Sequence, residues 1–335
     1  MHVERASDDI YIFSSDRYAQ VTASLIVSHG TGVLIDTMLY PSEAARIALH
    51  ARQHCPNGVR YVIFTGHEAD HTYGAFLYPR AEIIAHERAR TEILEKGAAA
   101  LAQAKEALPE LEPVLLKPPT ITFAQGAFTL RLPGKTLEII HMPGHTADGC
   151  SVLLHEERIL FAGDAIMALP TIVHGDVDQL KQSIERVAAM QLEYIVQGHG
   201  ELILRGEIKD TLKRLVGYLD SLRSKVERVV DAGGSREEAR TITIESCGMS
   251  RVLLNGAVTQ LHVSNVLSLY DKLMAGRPAL SKASRAAKQP VVEAVEPAPK
   301  GKSKAKKPVE RPSTSGKRSI HTSVNTAVGR PSRTV

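Results

Sequence analysis

The stretch Thr65–Gly74 reads TGHEADHTYG and directly follows the apolar run YVIF. Within five consecutive positions it carries four side chains that can bind a metal ion: His67, Glu68, Asp70 and His71. A solvated turn that begins a helix would also explain the run, because acidic groups are stabilised near a helix N-terminus. By itself the stretch therefore leaves two interpretations open, a metal site or a charged turn.

Three later polar clusters also follow apolar, strand-like runs. These runs are LEII, RILFA and EYIV, and the side chains that follow them include His141, His145, Asp164 and His199. A short cluster of this kind is usually a turn when it occurs alone. Four of them at strand ends favour one convergent site, because strands rigidly hold the loops that leave them. Imidazole and carboxylate ligands without thiolates are typical of catalytic zinc, iron or manganese sites.

The surrounding pattern predicts an α/β fold over residues 1–205. Short β-type runs broken by Gly, Pro and Asp alternate with helical segments at Ser42–His54, at 86–108 and at Asp178–Met190. Alternating strands and helices predict sheets that are covered by helices. Over residues 206–276 the apolar positions take helical spacing, which predicts a helical extension packed on the core.

Residues 277–335 differ from the rest of the chain in composition. They contain 14 of the 41 Lys and Arg residues but only 3 of the 37 Asp and Glu residues, so the preceding part is net acidic. Because this tail is rich in proline and lacks hydrophobic periodicity, we expect it to be disordered. It either aids solubility or makes a weak electrostatic contact with nucleic acid.

The cysteines and the N-terminus bear on where the protein works. Cys55, Cys150 and Cys247 are isolated and odd in number, which speaks against a disulfide framework. The N-terminus has charges where an export signal needs an apolar segment, and no run is long enough to span a membrane. We therefore expect a cytoplasmic protein, and the sequence does not indicate its oligomeric state.

With its four clusters in this order, the sequence resembles the metallo-β-lactamase superfamily of metallohydrolases. Members usually carry H-x-H-x-D-H, then a more distant His, an Asp and a final His, each after a strand. The residues that match this pattern here are Asp70, His71, His145, Asp164 and His199, and GVLIDT with Asp36 resembles the strand before the first motif. The resemblance spans residues 8–205 and implies an αββα sandwich with a dinuclear metal site at one edge of its sheets.

The first motif departs from the family pattern. Aligned on Asp70 and His71, the first-histidine position holds Gly66 and the second holds Glu68. The resemblance thus implies a full second site of Asp70, His71, Asp164 and His199, and a thinned first site of Glu68, His145 and Asp164. His67 is a candidate substitute for the missing ligand. Otherwise it lies at the surface or next to the ligands. His141 and His174 are candidates for contacts near the ligands or the substrate.

The function implied by this resemblance is metal-dependent hydrolysis. One or two divalent ions, zinc first and iron or manganese as alternatives, would supply a hydroxide nucleophile at neutral pH, with Asp70 as the catalytic carboxylate. The expected substrate is a small ester, thioester or lactone, as in glyoxalase II-like or lactonase-like members. Glu68 also resembles the ligand of the flavodiiron branch, so a di-iron redox protein is one alternative. A non-catalytic member with a degraded first site is another.

Overall fold

The computed structural model describes residues 1–276, all of which belong to one compact unit. The predictions for the tail at 277–335 lie outside the described residues. Within the described part, the three cysteines are unpaired and buried. None of its helices combines the length and the apolar character that a membrane span requires.

Two sheets form the centre of the fold. The strands of the first sheet, in chain and spatial order, are β1 (His2–Ser7), β2 (Ile10–Ser14), β3 (Thr22–Ser28), β4 (Thr31–Ile35), β5 (Val59–Ile63), β6 (Glu82–His86) and β7 (Ile121–Phe123). Strands β1 to β4 pair antiparallel, and β4 to β7 pair parallel. Parallel neighbours need a crossover connection, which explains why helical segments follow β4 and β6.

The second sheet is mainly antiparallel. Its strands are β8 (Ala127–Leu132), β9 (Lys135–His141), β10 (Cys150–Leu154), β11 (Ile159–Phe161), β12 (Tyr194–Val196) and β13 (Ile203–Leu204). The spatial order is β13-β12-β11-β10-β9-β8, and only the β11–β12 pair is parallel. The crossover between those two strands contains a helix, as that geometry requires.

Helices cover the outer faces of both sheets. They are α1 (Pro41–His54), α2 (Ala69–Thr72), α3 (Glu87–Glu92), α4 (Ala98–Ala107), α5 (Val177–Ala188), α6 (Arg205–Asp231), α7 (Arg236–Arg240) and α8 (Val258–Ala275). Local signals explain several boundaries: Pro41 begins α1, the Asp176 carboxylate caps α5, and Ser235 with Glu238 forms a capping box at α7. The helix predicted over 86–108 is interrupted by a π-helical turn at Ile93–Gly97.

Three large apolar layers and one smaller cluster around Leu101 and Leu111 hold the described elements together. One lies between the sheets and contains, for example, Ile26 and Ile63 of the first sheet and Ile139 and Val152 of the second. A second layer joins the first sheet to α1, and a third joins the second sheet to α5, α6 and α8. The arrangement is a four-layered αββα sandwich, which confirms the predicted fold class. The proposed domain division at residue 205 stays a prediction.

Candidate metal centre

The predicted ligands come from the ends of four strands, at one edge of the sandwich. Glu68, Asp70 and His71 follow β5 in and just before α2, His145 follows β9, Asp164 follows β11, and His199 follows β12. Within residues 1–276, ligand atoms of Asp70, His71 and His199 lie within 4.8 Å of one another, and so do those of Glu68, His71 and Asp164. His71 thus belongs to both groups, whereas the sequence placed it in the second site alone.

The buried Asp36 orients the imidazole of His71 through its Nδ1 atom. Its Nδ1 lies 2.9 Å from Asp36 Oδ2, and Asp36 also accepts hydrogen bonds from the backbone N–H and the hydroxyl of Thr65 at 2.9 and 2.6 Å. Asp36 has a φ of 56°, a left-handed conformation that is uncommon for a side-chain-bearing residue. The Asp36 carboxylate accepts a hydrogen bond from Nδ1–H, so His71 Nε2 faces the other candidate ligands.

The other two histidines are oriented by backbone carbonyl groups. His145 Nδ1 lies 3.0 Å from the carbonyl oxygen of Thr171, and His199 Nδ1 lies 3.0 Å from that of Ala19. A carbonyl oxygen can only accept, so both Nδ1 atoms carry the proton. All three imidazoles therefore present Nε2 to the centre, which is the orientation that metal-binding histidines need.

The distances between these atoms fit ligands that share an ion. Asp164 Oδ2 lies 3.3 Å from His71 Nε2 and 3.2 Å from His145 Nε2, and His199 Nε2 lies 3.2 Å from Asp70 Oδ2. Ligands held in a tetrahedron at metal–ligand bond lengths of roughly 2.0–2.2 Å lie about 3.3–3.6 Å apart. One pair is closer, because His145 Nε2 and Glu68 Oε2 make a 2.7 Å hydrogen bond.

Two buried atoms at the centre lack a hydrogen-bond partner among residues 1–276. They are His71 Nε2, whose approach to Asp164 is not aligned as a hydrogen bond, and Asp164 Oδ1. Gly198 leaves the space around Asp164 open, since a Cβ there would lie 2.1 Å from Asp164 Oδ1. Buried polar groups without partners are costly, so these atoms and the donor set fit a divalent ion.

The carboxylates favour positive charge at the centre. Burial lowers the pKa of His71, but the charges of Asp36, Asp164 and Asp70 outweigh it and hold that pKa well above its ordinary value. Burial likewise opposes the raised pKa of His145, which Asp164 and Glu68 bring to about 10. A divalent ion bound by these residues would supply the same positive charge in place of the protons on the histidine Nε2 atoms.

The structure does not bring His67 to the ligand groups. Its Nδ1 lies 2.9 Å from Asp148 Oδ1, in a pair of which the aspartate is almost fully buried. The contact raises the pKa of His67 against the opposing effect of burial. His67 thus faces the groove described below rather than the centre, and the hypothesis that it replaces the missing ligand gains no geometric support.

The other two predicted histidines also lie outside the ligand groups. His141 stacks on His86 with ring centroids 4.1 Å apart, and its Nε2 donates to the carbonyl of Ala147 at 2.9 Å. His174 is exposed at the edge of the groove. Of the two, only His174 occupies a position from which it could meet a bound substrate.

A groove of about 1030 Å³ lies over the centre. Glu68 and Asp70 line it at the metal centre, and α3, the π-helical turn and α4 line one wall. Ile93 and Leu116 give this wall apolar surface, while the remaining lining includes the cationic Arg88 and Lys96. A second cavity, of about 770 Å³ between α5 and α6, includes none of the predicted site residues.

Several residues that support the site were not identified as such from the sequence. They are Tyr18, Thr65, Asp148 and Thr171, together with the backbone of Ala19. Asp148 lies within the HMPGHTADG loop, so its closeness to His145 was the one available signal. The contacts of Ala19 and Thr171 join segments far apart in the chain, and no local pattern marks them.

The metallo-β-lactamase superfamily model matches residues 17–199, which is more than half of the chain and includes every residue of the two ligand groups. The matched segment begins after β2 and ends at His199, so it contains most strands of both sheets.

Curated relatives match shorter segments. A β-lactamase-like protein 2 homolog from Caenorhabditis elegans is 28% identical over 122 residues, 36% of this chain and 40% of its own length. An atrochrysone carboxyl ACP thioesterase from Aspergillus fumigatus is 24% identical over 130 residues, 38% of this chain and 36% of its own length. A hydroxyacylglutathione hydrolase from Haemophilus influenzae is 31% identical over 109 residues, 30% of this chain and 50% of its own length. The chain thus spans half or less of the length of these relatives.

A metallo-β-lactamase family protein from Thermus thermophilus has a similar solved structure. It superposes with a TM-score of 0.61 and 17% sequence identity, covering 81% of this chain and 95% of that one. At this level of identity the likeness shows the fold.

Proposed function

This chain belongs to the metallo-β-lactamase superfamily, and we propose that it is a metal-dependent hydrolase of a small ester, thioester or lactone. The observation that carries the proposal is the approach of three histidine Nε2 atoms to buried aspartates at 3.2–3.3 Å, beneath an open groove. The ligands assigned by this proposal are Glu68, Asp70, His71, His145, Asp164 and His199.

The chemistry that divalent ions supply in such a site is activation of water and polarisation of a carbonyl oxygen. The residues of the chain orient the ligands for it: Asp36 fixes His71, and the carbonyls of Thr171 and Ala19 fix His145 and His199. Because these supports are formed within the fold, the ligands need little rearrangement when an ion binds.

Asp70 is the proposed catalytic carboxylate. It belongs to a ligand group and also lines the groove, so it lies between the centre and a bound substrate. An ionised carboxylate there can accept a hydrogen bond from the attacking water and hold that water in line with the substrate carbonyl. The pKa of Asp70 is lowered, since the charges of His71 and His199 outweigh the effect of burial, and a low pKa keeps Asp70 ionised at neutral pH.

The groove supports a substrate with an extended apolar portion and a polar or anionic end. Its volume of about 1030 Å³ is large for a small-molecule site. Apolar contact along Ile93 and Leu116 would bind an acyl chain, and Arg88 would attract negative charge, whereas Lys96 is already paired with Glu92 of the same wall. One of the relatives described above is a thioesterase by name and another is a hydroxyacylglutathione hydrolase, so we place thioesters first among the three substrate classes.

The test is metal quantification on the purified protein, followed by hydrolysis assays on thioester, lactone and phosphodiester substrates. We expect bound zinc, iron or manganese and cleavage of at least one carboxylic ester class, with loss of activity after chelation and recovery after metal is restored. A protein that holds no divalent metal, or one whose activity survives complete metal removal, would contradict the proposal.

Glu68 favours a second candidate, a di-iron redox protein. A carboxylate at this position makes the ligand set richer in oxygen, which suits iron or manganese better than a set of imidazoles does. Two irons per chain, visible absorbance and no esterase activity would support this candidate. A colourless protein that hydrolyses thioesters would exclude it.

A further inference from the structure

We propose that Asn265, on the C-terminal helix α8, is a positioning residue that sets the orientation of His145 through one peptide group. The inference rests on the proposed metal centre, in which His145 is a ligand. Asn265 lies outside the segment that matches the family model, and it is fully buried. Through Asn265, a helix outside the sandwich would help to orient a ligand of the proposed metal centre.

The first link joins His145 to Thr171. His145 Nδ1 lies 3.0 Å from the Thr171 carbonyl oxygen and 2.7 Å from its hydroxyl oxygen, while the hydroxyl can donate to the sulfur of Met167. Both Thr171 oxygens can therefore accept the Nδ1 proton. The rotation of the imidazole, and with it the direction of Nε2, follows the placement of Thr171.

The second link joins the same peptide group to α8. The N–H of Ile172 donates to Asn265 Oδ1 at 2.9 Å. This N–H and the Thr171 carbonyl belong to one planar peptide unit, in which they point in opposite directions. Asn265 fixes one side of the plane, and the other side is thereby directed at His145.

A further hydrogen bond of Asn265 fixes the preceding peptide. Its Nδ2 donates to the carbonyl of Pro170 at 2.8 Å and to the hydroxyl of Tyr218 at 3.0 Å. Asn265 therefore holds the backbone on both sides of Thr171. This bracing matters because residues 167–173 have no helix or strand of their own to orient the backbone.

The amide of Asn265 is itself oriented by a buried network. The hydroxyl of Tyr218 lies 3.0 Å from His262 Nδ1, and His262 Nε2 donates to the carbonyl of Ile242 at 2.9 Å. Further along α8, Ser268 and Lys272 bond to backbone carbonyls at positions 172–175. Asn265, Ser268 and Lys272 lie on one face of the helix, since they are three and four residues apart.

The experiment measures Co²⁺ binding by the full-length protein through its visible absorption, which reports the ligands around the ion. Asn265→Leu removes both backbone contacts, and His145→Ala provides the spectrum of a centre without that ligand. We expect N265L to bind Co²⁺ about 10-fold more weakly, as is found when groups behind metal ligands are removed. Its spectrum should shift toward that of H145A.

The matched control is Tyr270→Phe. Tyr270 is a buried residue of α8 whose hydroxyl donates to the carbonyl of Gly234 at 2.9 Å, away from residues 170–175. Y270F therefore loses one hydrogen bond of the same helix, and we expect it to keep the wild-type spectrum and affinity. Melting temperatures of the metal-free proteins separate loss of stability from loss of ligand orientation.

A folded N265L with the wild-type affinity and spectrum would overturn the inference while leaving the metal centre intact. If the wild type itself binds no Co²⁺, the proposed function and the inference both fail, and the two results are readily distinguished. If N265L does not fold, Asn265→Ala carries the same expectations, because it also removes the contacts with Ile172 and Pro170 and adds no bulk at this buried position.

Discussion

At the residue scale, Gly66 separates this site from the usual first motif of the family. A Cβ at this position would meet no atom closer than Asp148 Oδ2 at 4.0 Å, so packing does not require a glycine here. The neighbouring His67 is turned toward Asp148 instead of the ligands. The first site therefore relies on Glu68 and His145, and His71 belongs to both ligand groups.

We expect Asp164→Ala to abolish metal binding and any hydrolysis, because Asp164 contacts all three ligand histidines at 3.2–3.6 Å. Metal content after dialysis against a limiting metal concentration measures this. His67→Ala is the matched comparison and should keep the wild-type metal content. Metal loss in H67A that equals the loss in D164A would show that His67 is a ligand after all.

Asp36→Asn should weaken metal binding by about 10- to 100-fold without removing a ligand, because Asp36 is the acceptor that fixes His71. Asp36 also accepts a hydrogen bond from the Thr65 hydroxyl, so the loss of that bond must be separated from the loss of the contact with His71. Thr65→Val removes the hydroxyl but leaves the Asp36–His71 contact, so its affinity should fall less. Competition with a chromophoric chelator measures both affinities, and equal losses in the two variants would refute the specific role of Asp36.

At the scale of elements, strand ends determine where the proposed ligands lie. Strand β12 ends immediately before Gln197 and Gly198, and its neighbour β11 ends before Gly163 and Asp164. The backbone of Gly198 donates to the carbonyl of Gly163 at 2.9 Å, so the two loops are in direct contact. Close approach of this kind excludes a side chain at Gly198, which explains the residue type that precedes His199.

Gly198→Ala should therefore abolish metal binding, since a Cβ there would lie 2.1 Å from Asp164 Oδ1. Gly217→Ala is the matched control in α6, where a Cβ would meet no atom within 4 Å. Alanine there should raise the stability, by up to about 1 kcal/mol, because it is a better helix former than glycine. Metal titration and thermal unfolding of both variants check this, and normal metal binding by G198A would contradict the geometry.

At the scale of the whole molecule, the proposed metal centre brings the carboxylates of Glu68, Asp70 and Asp164 close together, whereas the rest of the core is mainly apolar. The raised pKa of His145, about 10, means that the folded metal-free protein holds a proton which the unfolded chain releases near its ordinary value of 6.5. The resulting stabilisation is fully present below about pH 6.5, and it is lost as the pH rises toward about 10.

The melting temperature of the metal-free protein should accordingly fall between about pH 6.5 and pH 10. Metal binding should instead strengthen as the pH rises, because the ion competes with those protons. Thermal unfolding with and without a chelator across this range checks both trends. His145→Gln cannot take up the proton and should make this fall shallower, while the raised pKa of His71 maintains the remainder of the trend. A flat wild-type profile would contradict the charge balance described here.

Much of the fold could be predicted from the sequence, and so could the candidate ligands that the structure brings together, because both depend on short-range patterns. Strand periodicity followed by a polar cluster marks a strand end, and His, Asp and Glu can be recognised as candidate ligands at any position in a sequence. The four-layered sandwich is confirmed, and the helix boundaries at Pro41 and Ser235 follow their local capping signals. The interruption of the helix at Ile93–Gly97 has no such local marker.

The tertiary structure decided how the ligands are oriented and which histidines are excluded from the centre. Asp36 with His71, Ala19 with His199, and Asn265 with Ile172 are joined across 35, 180 and 93 residues of the chain. Such contacts arise only when separate layers pack, so no spacing within one segment predicts them. His67 shows the converse: it stands beside a ligand in the sequence, yet the buried Asp148 carboxylate from another loop is the group that binds it.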